Sequence, residues 1–275
     1  MPDPTDNPPQ PTSTTKRGPT STSRPVPSDT PTPAPVNWSL VWSDEFDSEG
    51  LPDSQKWDYE EGFIRNNEAQ YYTRRPQNAR LEGGNLVIEA LKESYQDAEI
   101  TSASLVTKGK AEWTFGRFEV RAQLPTGRGT WPAIWLLGAN IDTVGWPRCG
   151  EIDVMENVGF EPNTIHVNIH TEAYNHVKRT NKGASTYLEE PYAGFHIYAI
   201  EWLADRIDFY VDGGKIFTFW NEKTGVEAWP YDKPHYLILN LAIGGSWGGM
   251  QGIDEAAFPH KFLIDYVRVY QAERP

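Results

Sequence analysis

The chain has 275 residues, a formal charge of −13 and one cysteine, Cys149. The acidic balance argues against nucleic acid and anionic membranes as partners, and a lone cysteine excludes an intrachain disulfide. No run is long and apolar enough for a membrane-spanning helix, so no membrane insertion is expected, and no signal peptide is visible. With 11 tryptophans the chain is rich in flat apolar rings that suit sugar faces, although some of them must be core.

Residues 1–36 are dominated by Pro, Thr and Ser, with almost no apolar residue before Val36. Such a tract cannot bury enough surface to offset its ordering entropy, so it is expected to be a disordered linker. Residues 37–275 are expected to form one large all-β domain. Trp38 to Trp42 opens it, and Asn85 to Ala90 follows a Gly83-Gly84 turn. Gly116 to Leu124 alternates, Thr130 to Leu137 is mostly apolar, and Glu151 to Glu156 comes next. Thr164 to Thr171 alternates again, with His166, Asn168 and His170 on one face. Phe195 to Trp202 and Ile207 to Val211 lead into an Asp212-Gly213-Gly214 hairpin turn that returns through Ile216 to Trp220. Pro234 to Ile243 and Phe262 to Gln271 complete the set, while Trp220 to Trp229 and the segment around Asp254 have room for a helical turn or two. Many short strands and few helices predict a sandwich of two curved antiparallel sheets.

The stretch Glu151-Ile152-Asp153-Val154-Met155-Glu156 packs three carboxylates into six residues. Strict alternation places Glu151, Asp153 and Met155 on one face and turns Glu156 away. One extra residue, a β-bulge, returns Glu156 to the same side. Clustered carboxylates repel and raise each other's pKa, which suits acid–base work; a solvated strand face would show the same spacing. With a bulge, Glu151 and Glu156 stand about four strand steps apart, roughly 13 Å at ~3.3 Å per step. Leaning side chains close that toward the ~5–5.5 Å of a retaining glycosidase. Asp153, between them, is placed to keep one ionised and the other protonated.

Trp131, Trp135 and Trp146 lie just upstream and are candidate sugar platforms, with core packing as the alternative. Asn66-Asn67-Glu68, followed by Tyr71-Tyr72 and Arg74-Arg75, gives polar groups and rings in a predicted loop. The glycine-rich 244–249 loop carries Trp247 and suits a cleft wall. His166 and His170 share a face, yet no third soft ligand accompanies them for a metal. Cys149 reads as a small buried residue, because nothing marks it as activated.

These motifs, taken in order, closely resemble glycoside hydrolase family 16 in its endo-β-1,3-glucanase (laminarinase) branch. The match runs from Leu40-Val41-Trp42-Ser43-Asp44-Glu45-Phe46 to Asp265-Tyr266-Val267-Arg268-Val269-Tyr270. Between them lie Asn66-Asn67-Glu68, Gly116-Arg117-Phe118-Glu119, Trp131-Pro132-Ala133-Ile134-Trp135, Gly145-Trp146-Pro147, the acidic cluster and Leu239 to Gly245. The resemblance implies a β-jelly-roll sandwich with a substrate cleft on its concave sheet. It implies retaining hydrolysis of laminarin-type β-1,3-glucans, with Glu151 as nucleophile, Asp153 assisting and Glu156 as general acid/base. Met155 is the extra residue that separates laminarinase-like from lichenase-like members. By the same resemblance Trp131, Trp135 and Trp146 line the glycone subsites, Asn66, Asn67 and Arg75 add hydrogen bonds, and His170 sits near the acid/base on the aglycone side.

Catalysis needs no cofactor. A structural calcium ion on the convex side, at positions matching Glu45, Gly84 and Asp265, is expected from the resemblance. A monomer is expected, secreted or tethered to a surface through the N-terminal linker. Mixed β-1,3(4)-glucan cleavage and transglycosylation remain open on the same fold, and so does a non-catalytic glucan-binding role, which the retained carboxylates disfavour.

Overall fold

The computed structural model describes residues 36–273. The expected linker therefore lies outside the described residues, except for Val36. Among the described residues there are seventeen strands: β1 (Trp38–Asp44), β2 (Asp58–Glu60), β3 (Tyr71–Tyr72), β4 (Ala79–Glu82), β5 (Asn85–Tyr95), β6 (Ala98–Ser102), β7 (Ser104–Val106), β8 (Gly116–Gln123), β9 (Thr130–Gly138), β10 (Glu151–Glu156), β11 (Thr164–His170), β12 (Lys182–Tyr187), β13 (His196–Trp202), β14 (Arg206–Val211), β15 (Gly214–Trp220), β16 (His235–Ile243) and β17 (His260–Ala272). One short helix, α1 (Ile141–Val144), and a 3₁₀ turn at Glu255–Ala257 interrupt them.

The strands form two sheets. The larger runs β15-β14-β13-β8-β17-β5-β6-β3, with β1 paired to β17 and β4 to β5. The smaller runs β12-β11-β10-β9-β16-β7-β2. Pairing is antiparallel throughout apart from β3 beside β6. This is the jelly-roll sandwich, and its order explains the alternation. On β8, Phe118, Val120 and Ala122 enter the core, while Arg117, Glu119 and Arg121 stay partly exposed on the other face. On β16, Leu237, Leu239, Leu241 and Ile243 enter the same core, whereas Tyr236 and Ile238 face the other way, into a smaller apolar cluster with Trp135 and Leu137.

The strands missing from the sequence reading are short or polar. β12 reads KGASTY and pairs on one side only, with β11; of its residues only Ala184 packs against the core. Trp220 to Trp229 contains no helix; turns carry the chain there. Only Glu255–Ala257, capped by the Asp254 side chain, meets the expectation of a helical turn.

The bulge in β10 decides which way Met155 points. Pairing with β9 goes from Asp153↔Trp135 to Met155↔Ile134, and pairing with β11 from Asp153↔Asn168 to Glu156↔His166. One residue is extra against both neighbours. Val154 and Met155 are both 0% exposed and both join Ile152 in the core between the sheets. Truncating a buried Met to Ala typically removes about 2–5 kcal/mol, against about 0.5 kcal/mol or less at a surface position. We therefore expect Met155→Ala to lower the urea-unfolding free energy by an amount in the first range. A change in the second range would mean that Met155 lies on the cleft face, as strict alternation requires.

Candidate active site

The outer face of the smaller sheet is the floor of a cleft of about 1080 Å³, at the top of the ~300–1,000 Å³ typical of small-molecule pockets. Glu151, Asp153 and Glu156 rise from β10 in its middle. Gly150 leads into the strand at φ +85°, where a Cβ would come within 2.7 Å of Pro230. Buried Tyr231 fixes the strand start by sharing its one hydroxyl hydrogen between the carbonyls of Glu151 (2.9 Å) and His170 (3.2 Å).

Each outer carboxylate has its own indole donor. Trp146 Nε1 donates to Glu151 Oε2 at 2.8 Å, and Trp131 Nε1 donates to Glu156 Oε1 at 3.0 Å. His170 Nε2 lies 3.4 Å from Asp153 Oδ2 and 3.7 Å from Glu151 Oε1. Burial raises all three carboxyls above their usual range. It pushes Glu151 up to about 8, with the Asp153 charge adding to the rise and His170 and the Trp146 N–H opposing it. Burial likewise lifts Asp153 to about 8. It lifts Glu156 well above the usual carboxylate range, with Asp153 and Glu151 adding to the effect. Burial and mutual repulsion thus favour protonation across the floor, and an indole N–H opposes them at Glu151 and at Glu156.

One wall is a buried hydrogen-bonded chain. Trp135 Nε1 donates to Asn240 Oδ1 (2.7 Å), Asn240 Nδ2 to the Tyr72 hydroxyl (3.1 Å), and Tyr72 to Glu68 Oε2 (3.2 Å). Gln70 and Asn66 also donate to Glu68. The chain fixes the Trp135 ring, over which the Arg65 guanidinium stacks at 4.8 Å while pairing with Glu60. Trp247 stands edge-on to Trp131 and His166, at 5.5 and 4.9 Å between ring centres. Of the nine buried side-chain polar atoms without a partner among the described residues, four belong to cleft residues Arg65, Asp153, His166 and His170. The cleft is therefore polar as well as aromatic, as sugar binding requires.

Most residues singled out in the sequence meet here: Glu151, Asp153, Glu156, Trp131, Trp135, Trp146, His170 and Asn66 all line the cleft. Three placements differ. Arg75 turns away, pairs with Glu93, donates to Asn78 at 3.0 Å and stacks on Tyr95 at 4.2 Å. Its charge is spent on holding β5 and β6, and Arg65 is the arginine in the cleft. Asn67 is exposed and outside the lining. Asn66 and Asn67 have φ of 56° and 53°, so the pair forms a left-handed turn that aims only the first at the cleft. His170 sits beside Glu151 and Asp153, while the histidine opposite Glu156 is His166. The sequence reading missed His176, whose ring lies 5.0 Å from that of Trp146. Cys149 is fully buried, and burial, with the Glu151 charge, pushes its thiol up to about 12, so it is no nucleophile.

The family model for glycosyl hydrolases family 16 matches residues 66–268. The chain belongs to glycosyl hydrolase family 16. It is 54% identical to a β-glucanase of Rhodothermus marinus over 246 residues, covering 86% of each chain. It is similar to the X-ray structure of the laminarinase from the same organism, with a TM-score of 0.85 at 51% identity over 87% of this chain and 99% of that one. It is also similar to SCLam, a non-specific endo-β-1,3(4)-glucanase of the family, with a TM-score of 0.83 at 48% identity over 88% of this chain and 95% of that one.

At the positions where the family resemblance places calcium, both carboxylates are paired with arginines. Glu45 accepts two hydrogen bonds from Arg268, at 3.1 and 2.8 Å, and Asp265 pairs with Arg121. Gly84, in the β4–β5 turn, offers only its backbone. Calcium takes six to eight oxygen ligands, so an ion at these positions would draw largely on backbone oxygens and on one carboxylate released from its guanidinium.

The buried carboxylates also set a pH dependence of stability. A Glu pKa near ~4.3 in the unfolded chain against about 8 in the fold means that the native state binds more protons between those values. Stability therefore falls as pH rises through that window. Glu151→Gln, which removes the charge and keeps an acceptor for Trp146, is expected to gain urea stability over the parent at pH 8 relative to pH 5. An identical difference at both pH values would contradict the burial of Glu151.

Proposed function

We propose that the protein is a retaining endo-β-1,3-glucanase acting on laminarin-type glucans. The observation that carries this reading is the bulged β10, which sets Glu151 and Glu156 on either side of Asp153 in one cleft, each under an indole donor. Glu156, whose carboxyl is raised well above the usual range by burial, protonates the leaving oxygen. As that C–O bond breaks, a Glu151 oxygen bonds to the anomeric carbon. Water then attacks the same carbon, Glu156 takes its proton, and Glu151 departs as carboxylate. Asp153 stands between the two glutamates and assists the exchange of charge and proton between them. Trp131 and Trp146, half-buried, offer ring faces to the sugar while their N–H groups hold the glutamates, and Asn66 and Arg65 add polar groups; Trp135 is nearly buried beneath Arg65 and shapes the wall.

The similarity to both a laminarinase and a non-specific β-1,3(4)-glucanase supports mixed-linkage cleavage as a second reading. The proposal extends to a monomeric enzyme exported to meet its polymeric substrate, with residues 1–36 as a tether. Its chemistry uses no cofactor, and any calcium would be structural, held by backbone oxygens.

The test is digestion of laminarin and lichenan, with products sized, by the parent and by Glu151→Gln and Glu156→Gln. General acid catalysis contributes about 10²–10⁴-fold, so both variants are expected to lose at least that much on laminarin. Laminarin binding without new reducing ends in the parent would instead indicate a glucan-binding domain.

A further inference from the structure

The catalytic floor has a second geometry that hydrolysis does not use. His170 Nε2, Asp153 Oδ2 and Glu151 Oε1 face one point, with 3.4 Å and 3.7 Å between the imidazole nitrogen and the two oxygens. The three groups offer ligand atoms that all lie within 4.8 Å of one another, and they are the only such set among the described residues. A tetrahedral zinc ion with ligands at ~2.0–2.1 Å holds them roughly 3.3–3.4 Å apart. Two of the three edges are close to that spacing before any ion arrives.

A second observation is independent of the spacing. Asp153 is 3% exposed, and its Oδ2 has no hydrogen-bond partner. A buried carboxylate oxygen left so costs free energy unless a ligand satisfies it, and this one points at His170 Nε2. The side chains are 6% exposed at His170 and 4% at Asp153, so the ligands sit on rigid strands, shielded from water, with Glu151 opening onto the cleft.

We propose that Glu151, Asp153 and His170 form a binding site for a divalent transition ion of the zinc type, and that the ion blocks the enzyme. One imidazole nitrogen and two carboxylate oxygens suit zinc. Calcium needs six to eight oxygens and magnesium a near-octahedral shell with several waters, which three donors on an enclosed floor do not supply. The bound ion holds the Glu151 oxygen that would otherwise meet the anomeric carbon. It also cancels the negative charge that separates the two glutamates. The site is weaker than a dedicated zinc centre, because His170 Nδ1 has no acceptor to orient the ring. The sequence offered only His166 and His170 as a pair; the fold separates them and supplies carboxylates from β10 instead.

Only the blocking part rests on the hydrolase reading, so binding and activity are measured separately. The full chain, stripped with EDTA and desalted, is titrated calorimetrically with zinc chloride, with calcium and magnesium chloride as controls. The expected result is one zinc per chain, no calcium or magnesium at this site, and binding weakened more than about 10-fold in both His170→Ala and Glu151→Gln. The His196→Ala control, far along the chain on β13, binds as the parent does. A laminarin oligosaccharide filling the cleft weakens zinc binding, and zinc inhibits the parent reversibly, with EDTA restoring activity. Absence of zinc binding, or binding unchanged in both variants, overturns the site. Metal-free protein that binds zinc but leaves laminarin intact supports the site and refutes the hydrolase reading.

Discussion

A regular strand cannot show Asp153 and Glu156 on the same face, and everything in the site depends on the one residue that breaks this rule. The extra residue in β10 lets Val154 and Met155 both turn into the core. Glu156 then returns to the cleft opposite His166, one bulge beyond the Asp153–Asn168 pair. The local defect is held by strong surroundings. Ile152, Val154 and Met155 are anchored in the core between the sheets. Tyr231 ties the start of β10 to the end of β11, and β9 and β11 flank it on both sides. A bulge on an edge strand would lack this support.

The second constraint is electrostatic. Three carboxylates on one buried floor are unfavourable, and the protein meets that cost with donors rather than with a full set of counter-charges. Two indole N–H groups and one histidine face the acids. Hydrogen bonds to an ionised oxygen favour the charged form, while burial favours the neutral one. At both Glu151 and Glu156 burial is the larger effect, with the indole N–H opposing it. The Arg65 guanidinium is kept at the wall by Trp135 and Glu60, so it tempers the cluster without neutralising it.

Much of this was legible in the sequence because alternation and bulk reveal which side of a strand is buried. The two-sheet sandwich followed from the spacing of apolar residues in β8, β9, β11, β14 and β16, while the jelly roll and the cleft on its concave sheet followed from the resemblance carried by Glu151, Asp153, Glu156, Trp131 and Trp135. The illegible parts lie where side-chain direction is set by partners distant in sequence. Arg75 looked like a cleft residue from its loop, but Glu93 and Tyr95 on β5 claim it. Arg65, next to the flagged Asn66, was passed over because nothing local shows that Trp135 will lie beneath it. His176 sits in a loop with no period, and only the fold brings it to Trp146. β12 was invisible because an edge strand of small and polar residues has no apolar face to betray it.

The cleft is also unequal along its length. On the β9 and β16 side, indoles, Asn240 and the Glu68 network give a rigid wall, whereas β11 and β12 offer small polar groups such as Asn168, Gly183 and Ser185. The central claim is that the bulge sets Glu151 and Glu156 on one face to act together in a double displacement. Proton NMR of the first sugars released from laminarin, recorded before mutarotation, tests it most directly. The account predicts that the new reducing ends begin as the β-anomer; an initial α-anomer would contradict it, because a single inverting displacement leaves Glu151 no bond to form.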